Sequence, residues 1–200
     1  MTNPLSFRSI FYPRKTFQAL ASAELKPSKV LFSYALWLLF LPPVFAWLGA
    51  YAFGWRIGAS EPLYLSPQML TLVSICYFLL LLFGFVSAGL ISQWFATTYG
   101  ARRSLGHHFA LVAVVGTPLA LASVAHLFPH VIFNVLVLIP TLIWSMYLLY
   151  MGVPVILQTP PERGVLMASS LLGYLLVAFV SLLGITVALW AAGFGPLMAV

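Results

Sequence analysis

A chain of 200 residues that is 62% hydrophobic and only 6% charged carries more apolar surface than a water-soluble domain can enclose, because a soluble fold must also clothe itself in polar groups. A mean hydropathy of +1.06 places it in a bilayer. The net charge of +6 would point to nucleic acid in a soluble chain. Here it marks one membrane face and contact with anionic lipid, and no nucleic-acid partner is expected.

The chain opens with a basic segment, residues 1–29. It lacks the continuous apolar core of a cleavable signal peptide, so the first span is expected to act as the targeting signal. Pro13 suits the first turn of a helix and Pro27 ends it. Phe17, Leu20 and Ala21 share one face at i, i+3, i+4 spacing, while Arg14, Lys15 and Gln18 can reach lipid headgroups. The pattern predicts a short interfacial amphipathic helix; the alternative is a disordered basic tail.

Residues 30–200 read as one transmembrane domain. Five apolar stretches, at about 30–53, 69–95, 107–128, 131–151 and 165–192, contain no Lys, Arg, Asp or Glu. Each exceeds the roughly 20 residues that cross a hydrocarbon core about 30 Å thick. The fold class is all-α: a polytopic membrane protein of five transmembrane helices. Span one holds Pro42 and Pro43, which remove two amide donors and are expected to kink or break the helix. Pro118 and Pro140 are the corresponding kink candidates in spans three and four. Thr117 is placed to satisfy a carbonyl that Pro118 frees. Gly152-Val153-Pro154 is expected to close span four. Small residues four apart, Gly84 with Ala88, Ala88 with Ser92 and Gly184 with Ala188, mark candidate helix contacts.

Basic residues set the orientation. Arg8, Arg14, Lys15, Lys26 and Lys29 precede span one; Arg102 and Arg103 follow span two; Arg163 follows span four. Arg56 stands alone in the first loop. The positive-inside rule therefore predicts a cytoplasmic N-terminus and an outer C-terminus. Trp47, Trp55, Trp94 and Trp190 decorate span ends, as amphipathic rings favour headgroup depth. Trp37 and Trp144 lie deeper and read as packing residues.

The sequence carries little that points to catalysis. It has no Asp, and Glu24, Glu61 and Glu162 all fall outside the spans. No nucleophile elbow, phosphate-binding Gly-rich loop or His-Glu-x-x-His occurs. Serines and threonines within the spans lack an evident base. His126 and His130 are four apart, but Pro129 interrupts the helical spacing a metal pair would need, and they read as interfacial. His107 and His108 follow Arg102 and Arg103 and read as part of a headgroup-facing cluster, with pH sensing as the rival reading. The single Cys76 cannot form an internal disulfide. No cofactor, metal site, proton coupling or hydrolysis is expected.

The segment from Tyr99 to Leu172 resembles the Yip family of membrane proteins, named for interaction with Ypt/Rab GTPases, and within it a small bacterial inner-membrane branch. The likeness rests on Gly116-Thr117-Pro118-Leu119, on Leu127-Phe128-Pro129 and on Tyr147-Leu148-Leu149-Tyr150-Met151-Gly152-Val153-Pro154. Pro13-Arg14-Lys15-Thr16-Phe17 is similar to the family's amphipathic start. The resemblance implies a five-helix bundle with a cytoplasmic N-terminus in a bacterial inner membrane. Rab binding in eukaryotic relatives uses a longer N-terminal region, so it does not carry over to these 29 residues. The family pattern supplies no catalytic residue.

Two functions stand open on these grounds. The first is a non-enzymatic protein that organises or shapes the membrane, or recruits membrane-protein partners or a second copy of itself. Its candidate lipid or partner contacts are Arg14, Lys15, Lys26, Lys29, Arg102, Arg103 and Arg163. The alternative is a transporter or channel component for a neutral or apolar small molecule. That reading needs a polar cavity lined by Asn134, Thr117, Ser123 and Thr141.

Overall fold

A computed structural model describes residues 11–56 and 61–192; Arg8, the tail after Ala192 and the Trp190 side chain lie outside the described set. Among the described residues six helices are formed: α1 (Pro13–Ser22), α2 (Pro27–Phe53, with a π-turn at Leu31–Ala35), α3 (Pro67–Tyr99), α4 (Leu105–Leu127, its last turn a 3-10 helix over Ser123–Leu127), α5 (Val131–Ile156) and α6 (Pro161–Ala191). The last five are long and apolar enough to cross a membrane. Together with the short amphipathic α1 they make the all-α polytopic fold that the hydropathy pattern predicts.

Local chemistry accounts for both ends of α3. Ser66 caps α3 by accepting from the Met69 amide at 3.3 Å, with Pro67 in the first turn. Gly100 ends α3 at φ 79°, a left-handed conformation that only a residue without Cβ adopts at no cost. The end of α5 corrects the sequence expectation. The helix does not close at Gly152-Val153-Pro154 but continues through Pro154 to Ile156. Val153, Ile156 and Leu157 are all buried, so packing carries the helix past its proline. The turn falls instead at Gln158, which is left-handed at φ 54°.

The other prolines also fail to break their helices. Helix α2 continues through Pro42 and Pro43, α4 through Pro118 and α5 through Pro140. Pro42 and Pro43 are themselves buried. Thr117 does not take up the Val114 carbonyl that Pro118 frees. Its hydroxyl donates to the Ala113 carbonyl at 2.7 Å, and the Tyr34 hydroxyl of α2 donates to Thr117 at 2.9 Å.

Helix α4 occupies the middle of the bundle and buries the largest share of its length. Side-chain hydrogen bonds between helices link α2 to α4 (Tyr34–Thr117, 2.9 Å), α3 to α4 (Ser92–His108, 2.8 Å), α3 to α6 (Tyr99–Ser170, 2.6 Å) and α5 to α6 (Tyr150–Ser169, 2.9 Å). In lipid such bonds and close packing replace the hydrophobic drive between helices. At the opposite end Trp47 of α2 donates to Thr71 of α3 at 3.2 Å.

The small residues marked as candidate contacts divide between packed and open positions. Ala88 and Ser92 are buried, but Gly84 faces open space; the adjacent Gly89 instead seats the Phe109 ring. Gly184 has no neighbour within 4 Å of a would-be Cβ, and Ala188 is exposed. Trp37 is 71% exposed and Trp144 is also exposed, so neither packs in the core.

Candidate functional site

The basic residues divide between the two ends of the bundle as unevenly as the sequence suggests. Arg14, Lys15, Lys26, Lys29, Arg102, Arg103 and Arg163 lie at or beside the end where α1, the α3–α4 loop and the α5–α6 turn meet, here called the basic end. Arg56 stands at the far end, where its amide donates to the Pro129 carbonyl at 3.1 Å.

Helix α1 crosses the basic end and packs on the last turns of α5. Phe17 and Leu20 are 0% exposed, and Ala21 is buried beside them. Gly152 supplies the seat. A Cβ there would stand 2.8 Å from Leu111 Cδ1 and 3.2 Å from Phe17 Cζ. This explains the glycine in the Tyr-Leu-Leu-Tyr-x-Gly-x-Pro run: only a bare backbone admits both side chains. The apolar face of α1 is thus spent on the bundle, while Arg14, Lys15 and Gln18 remain exposed. Phe11 and Tyr12, at the start of α1, are exposed as well.

The basic residues are not equivalent. Arg103 turns inward, and its Nη2 donates to the Ala21 carbonyl at 2.9 Å. Ala21 lies in the last turn of α1, where carbonyls lack helical partners and a cation also complements the helix dipole. The Ser104 hydroxyl donates to the Leu25 carbonyl at 3.4 Å, and the Leu25 carbonyl lies against the bare Cα of Gly106. Arg163 has one guanidinium nitrogen 3.2 Å from where a Gly100 Cβ would stand, over the end of α3. Arg103 therefore holds the fold, and Arg14, Lys15, Lys26, Lys29, Arg102 and Arg163 are exposed.

Beneath α1 and its linker lies a feature that the sequence reading missed. His107 is 5% exposed and His108 is 0% exposed, so neither faces lipid headgroups. Nδ1 of His107 meets the Ser104 hydroxyl at 2.8 Å, and Nδ1 of His108 meets the Ser92 hydroxyl at 2.8 Å. A serine inside the bundle does have a base in reach, contrary to expectation. Spacing within one segment could not reveal this, because Ser92 and His108 come from antiparallel helices on either side of a loop. The Ser92–His108 pair is closed to solvent on both members, and the three glutamates of the chain stand elsewhere, so no carboxylate orients the imidazole.

The residues proposed to line a polar cavity do not converge. Asn134 ties the far-end turn: its Oδ1 meets His126 Nδ1 at 2.6 Å, and its Nδ2 donates to the Phe128 and His130 carbonyls at 2.8 and 3.0 Å. Ser123 donates to the Ala120 carbonyl and Thr141 to the Val137 carbonyl, each at 2.6 Å. Pro118, Pro140 and Thr141 instead border an open cleft of about 320 Å³ with Leu121 and Trp144. Among the described residues no group of three His, Cys, Asp or Glu side chains could hold a metal.

Five membrane-crossing helices, closed at one end by a docked amphipathic helix and a concentration of basic residues, define a polytopic helical membrane protein. The chain belongs to the Yip1 domain family, whose model matches residues 7–182. It is 31% identical over 161 residues to the inner membrane protein YohC of Escherichia coli strain K12, covering 80% of this chain and 83% of that protein. The same figures hold for YohC of the O6:H1 strain. No solved structure matches the chain.

Proposed function

We propose that this protein is a non-enzymatic inner-membrane organiser that shapes the bilayer or recruits membrane partners through its basic end, with that end in the cytoplasm. The observation that carries the reading is the division of polar chemistry between surface and interior. Tyr34, Ser92, Tyr99 and Tyr150 spend their polar groups on partners in neighbouring helices, whereas the exposed cations Arg14, Lys15, Lys26, Lys29, Arg102 and Arg163 gather at one end. Anionic lipid attracts such residues by about 1 kcal/mol each, less at high salt. Membership of the Yip1 domain family and likeness to an inner membrane protein support the location. The transporter reading loses its main support, because Thr117, Ser123, Asn134 and Thr141 are each bonded elsewhere.

A photo-crosslinking residue placed at Arg102 or at Tyr64, in native membranes, tests the proposal. Adducts to membrane proteins are expected from position 102 and not from position 64. Adducts confined to position 64 overturn it. Proton-driven solute uptake by the purified protein in sealed liposomes, lost on replacing His107 or His108, would favour the transporter instead.

A further inference from the structure

We infer that α1 is a transferable strap: the Phe17, Leu20 and Ala21 face that docks against Gly152 and Leu111 exchanges for the surface of an anionic bilayer. One apolar face is available and two apolar surfaces compete for it. On the bundle it is satisfied by the end of α5; on a membrane the same face would enter the boundary between headgroups and acyl chains. Burial of the face is common to both positions, so the charges on α1 decide between them.

The docked position gives those charges nothing. Arg14 and Lys15 are exposed there and share the basic end with Arg102, Arg103 and Arg163. The carboxylates on the elements around it are Glu24 in the linker and Glu162 at the start of α6, both exposed and outnumbered. An anionic leaflet reverses the balance, attracting Arg14 and Lys15 while Tyr12 offers an interfacial ring.

The connections also permit release. Residues 23–26 join α1 to α2 without helix, and both Ala23 and Lys26 are extended. Arg103 and Ser104 hold the segment through backbone carbonyls of Ala21 and Leu25. These bonds specify position but can be replaced by water once α1 lifts. Release would uncover the bare backbone of Gly152 and open the linker above His107.

The inference rests on the reading that the basic end meets the anionic leaflet. Its test uses the full chain with Cys76→Ser and a bimane label at Leu20→Cys, or at Ala21→Cys should the first variant not fold. The protein is reconstituted in phosphatidylcholine, and in an equal mixture of phosphatidylcholine and phosphatidylglycerol, each with brominated acyl chains as quencher. Quenching is expected to rise at least twofold in the anionic vesicles and to fall back as salt is added. Arg14→Glu with Lys15→Glu should abolish the rise without changing quenching in phosphatidylcholine. Equal quenching in both vesicles, or a rise that survives the charge reversal, overturns the strap. Crosslinking from position 102 is scored on the same variants. Adducts that persist with an immobile strap leave the recruitment reading standing, and a moving strap without adducts fails that reading alone.

Discussion

Helix α5 passes through two environments. Between Ser145 and Ile156 it buries Ser145, Leu148, Leu149, Gly152, Val153 and Ile156, a stripe at helical spacing. Between Val131 and Trp144 it buries nothing. Helix α6 repeats the contrast: Gly164, Met167, Ala168 and Leu171 are buried, whereas no residue from Leu172 to Ala188 is. Both stretches are apolar, so hydrophobicity does not separate them. What the packed halves have is a hydroxyl pair, Tyr150–Ser169, a second at Tyr99–Ser170, and glycines where another chain segment needs room. Lipid solvates Leu and Val as well as a neighbouring helix does, so burial occurs where small residues or polar bonds add something lipid cannot.

The comparison is broken most directly at Gly106 and Gly152, both in the packed half. Gly106→Ala would drive a methyl group into the backbone carbonyl of Leu25, which cannot swing aside as a side-chain end can. Gly152→Leu would force a branched side chain between Leu111 and Phe17. Overpacking of this kind costs about 1–3 kcal/mol, sometimes more. Both variants should lower the thermal midpoint in detergent, and protease cleavage within residues 13–26 should accelerate. Unchanged midpoint and cleavage would mean that α1 does not depend on these seats.

A smaller effect is expected from the hydroxyl pairs. Tyr99→Phe and Ser170→Ala, combined in a double-mutant cycle, should couple by about 0.6 kcal/mol, the average for interhelical bonds in a membrane. Ser92→Ala should cost more, about 1–3 kcal/mol, because it leaves a buried imidazole nitrogen without its partner. Chemical unfolding in mixed micelles measures both. Coupling near zero at Tyr99–Ser170 would assign the packing of α6 to shape alone.

The asymmetry between halves was legible in the sequence only in part. Long apolar runs with the cations outside them fix the number of spans, and the spacing of Phe17, Leu20 and Ala21 identifies the buried face of α1. Which surface receives that face cannot be read locally, because the seat at Gly152 lies far along the chain. Small-residue spacing is only a partial guide for the same reason: it marks where a helix can be approached, which holds at Ala88 and Ser92, but Gly89 rather than Gly84 is approached because Phe109 lies opposite. Proline reads as a helix breaker from water-soluble chains, but Pro154 sits among buried Val153 and Ile156, whose packing outweighs one lost hydrogen bond. The histidines read as surface groups because Arg102 and Arg103 precede them. The Ala21–Leu25 segment crosses the start of α4 beside His107, and His108 turns against Ser92 of α3, so both lie inside.

The smallest expected effect sharpens the comparison from the lipid-facing side. Gly184→Leu adds a large side chain at the same kind of residue as Gly152→Leu, on a helix of similar composition. Nothing lies within 4 Å of the added Cβ, and the surrounding positions on α6 are exposed. A leucine there meets acyl chains, exchanging one apolar contact for another, so stability should change by no more than about 0.5 kcal/mol. Gly184 and Ala188 nevertheless retain the spacing that lets two helices approach closely. The variant therefore distinguishes two states of the far half. If α6 stands alone in lipid, the thermal midpoint and the mass of the detergent-solubilised protein both stay as in the parent. If Gly184 seats a second copy, the leucine holds the helices apart, and light scattering should show a lower mass alongside a lower midpoint. That second outcome would mean the far half of this bundle is completed between chains, and the contrast within α6 would become one between intramolecular and intermolecular packing.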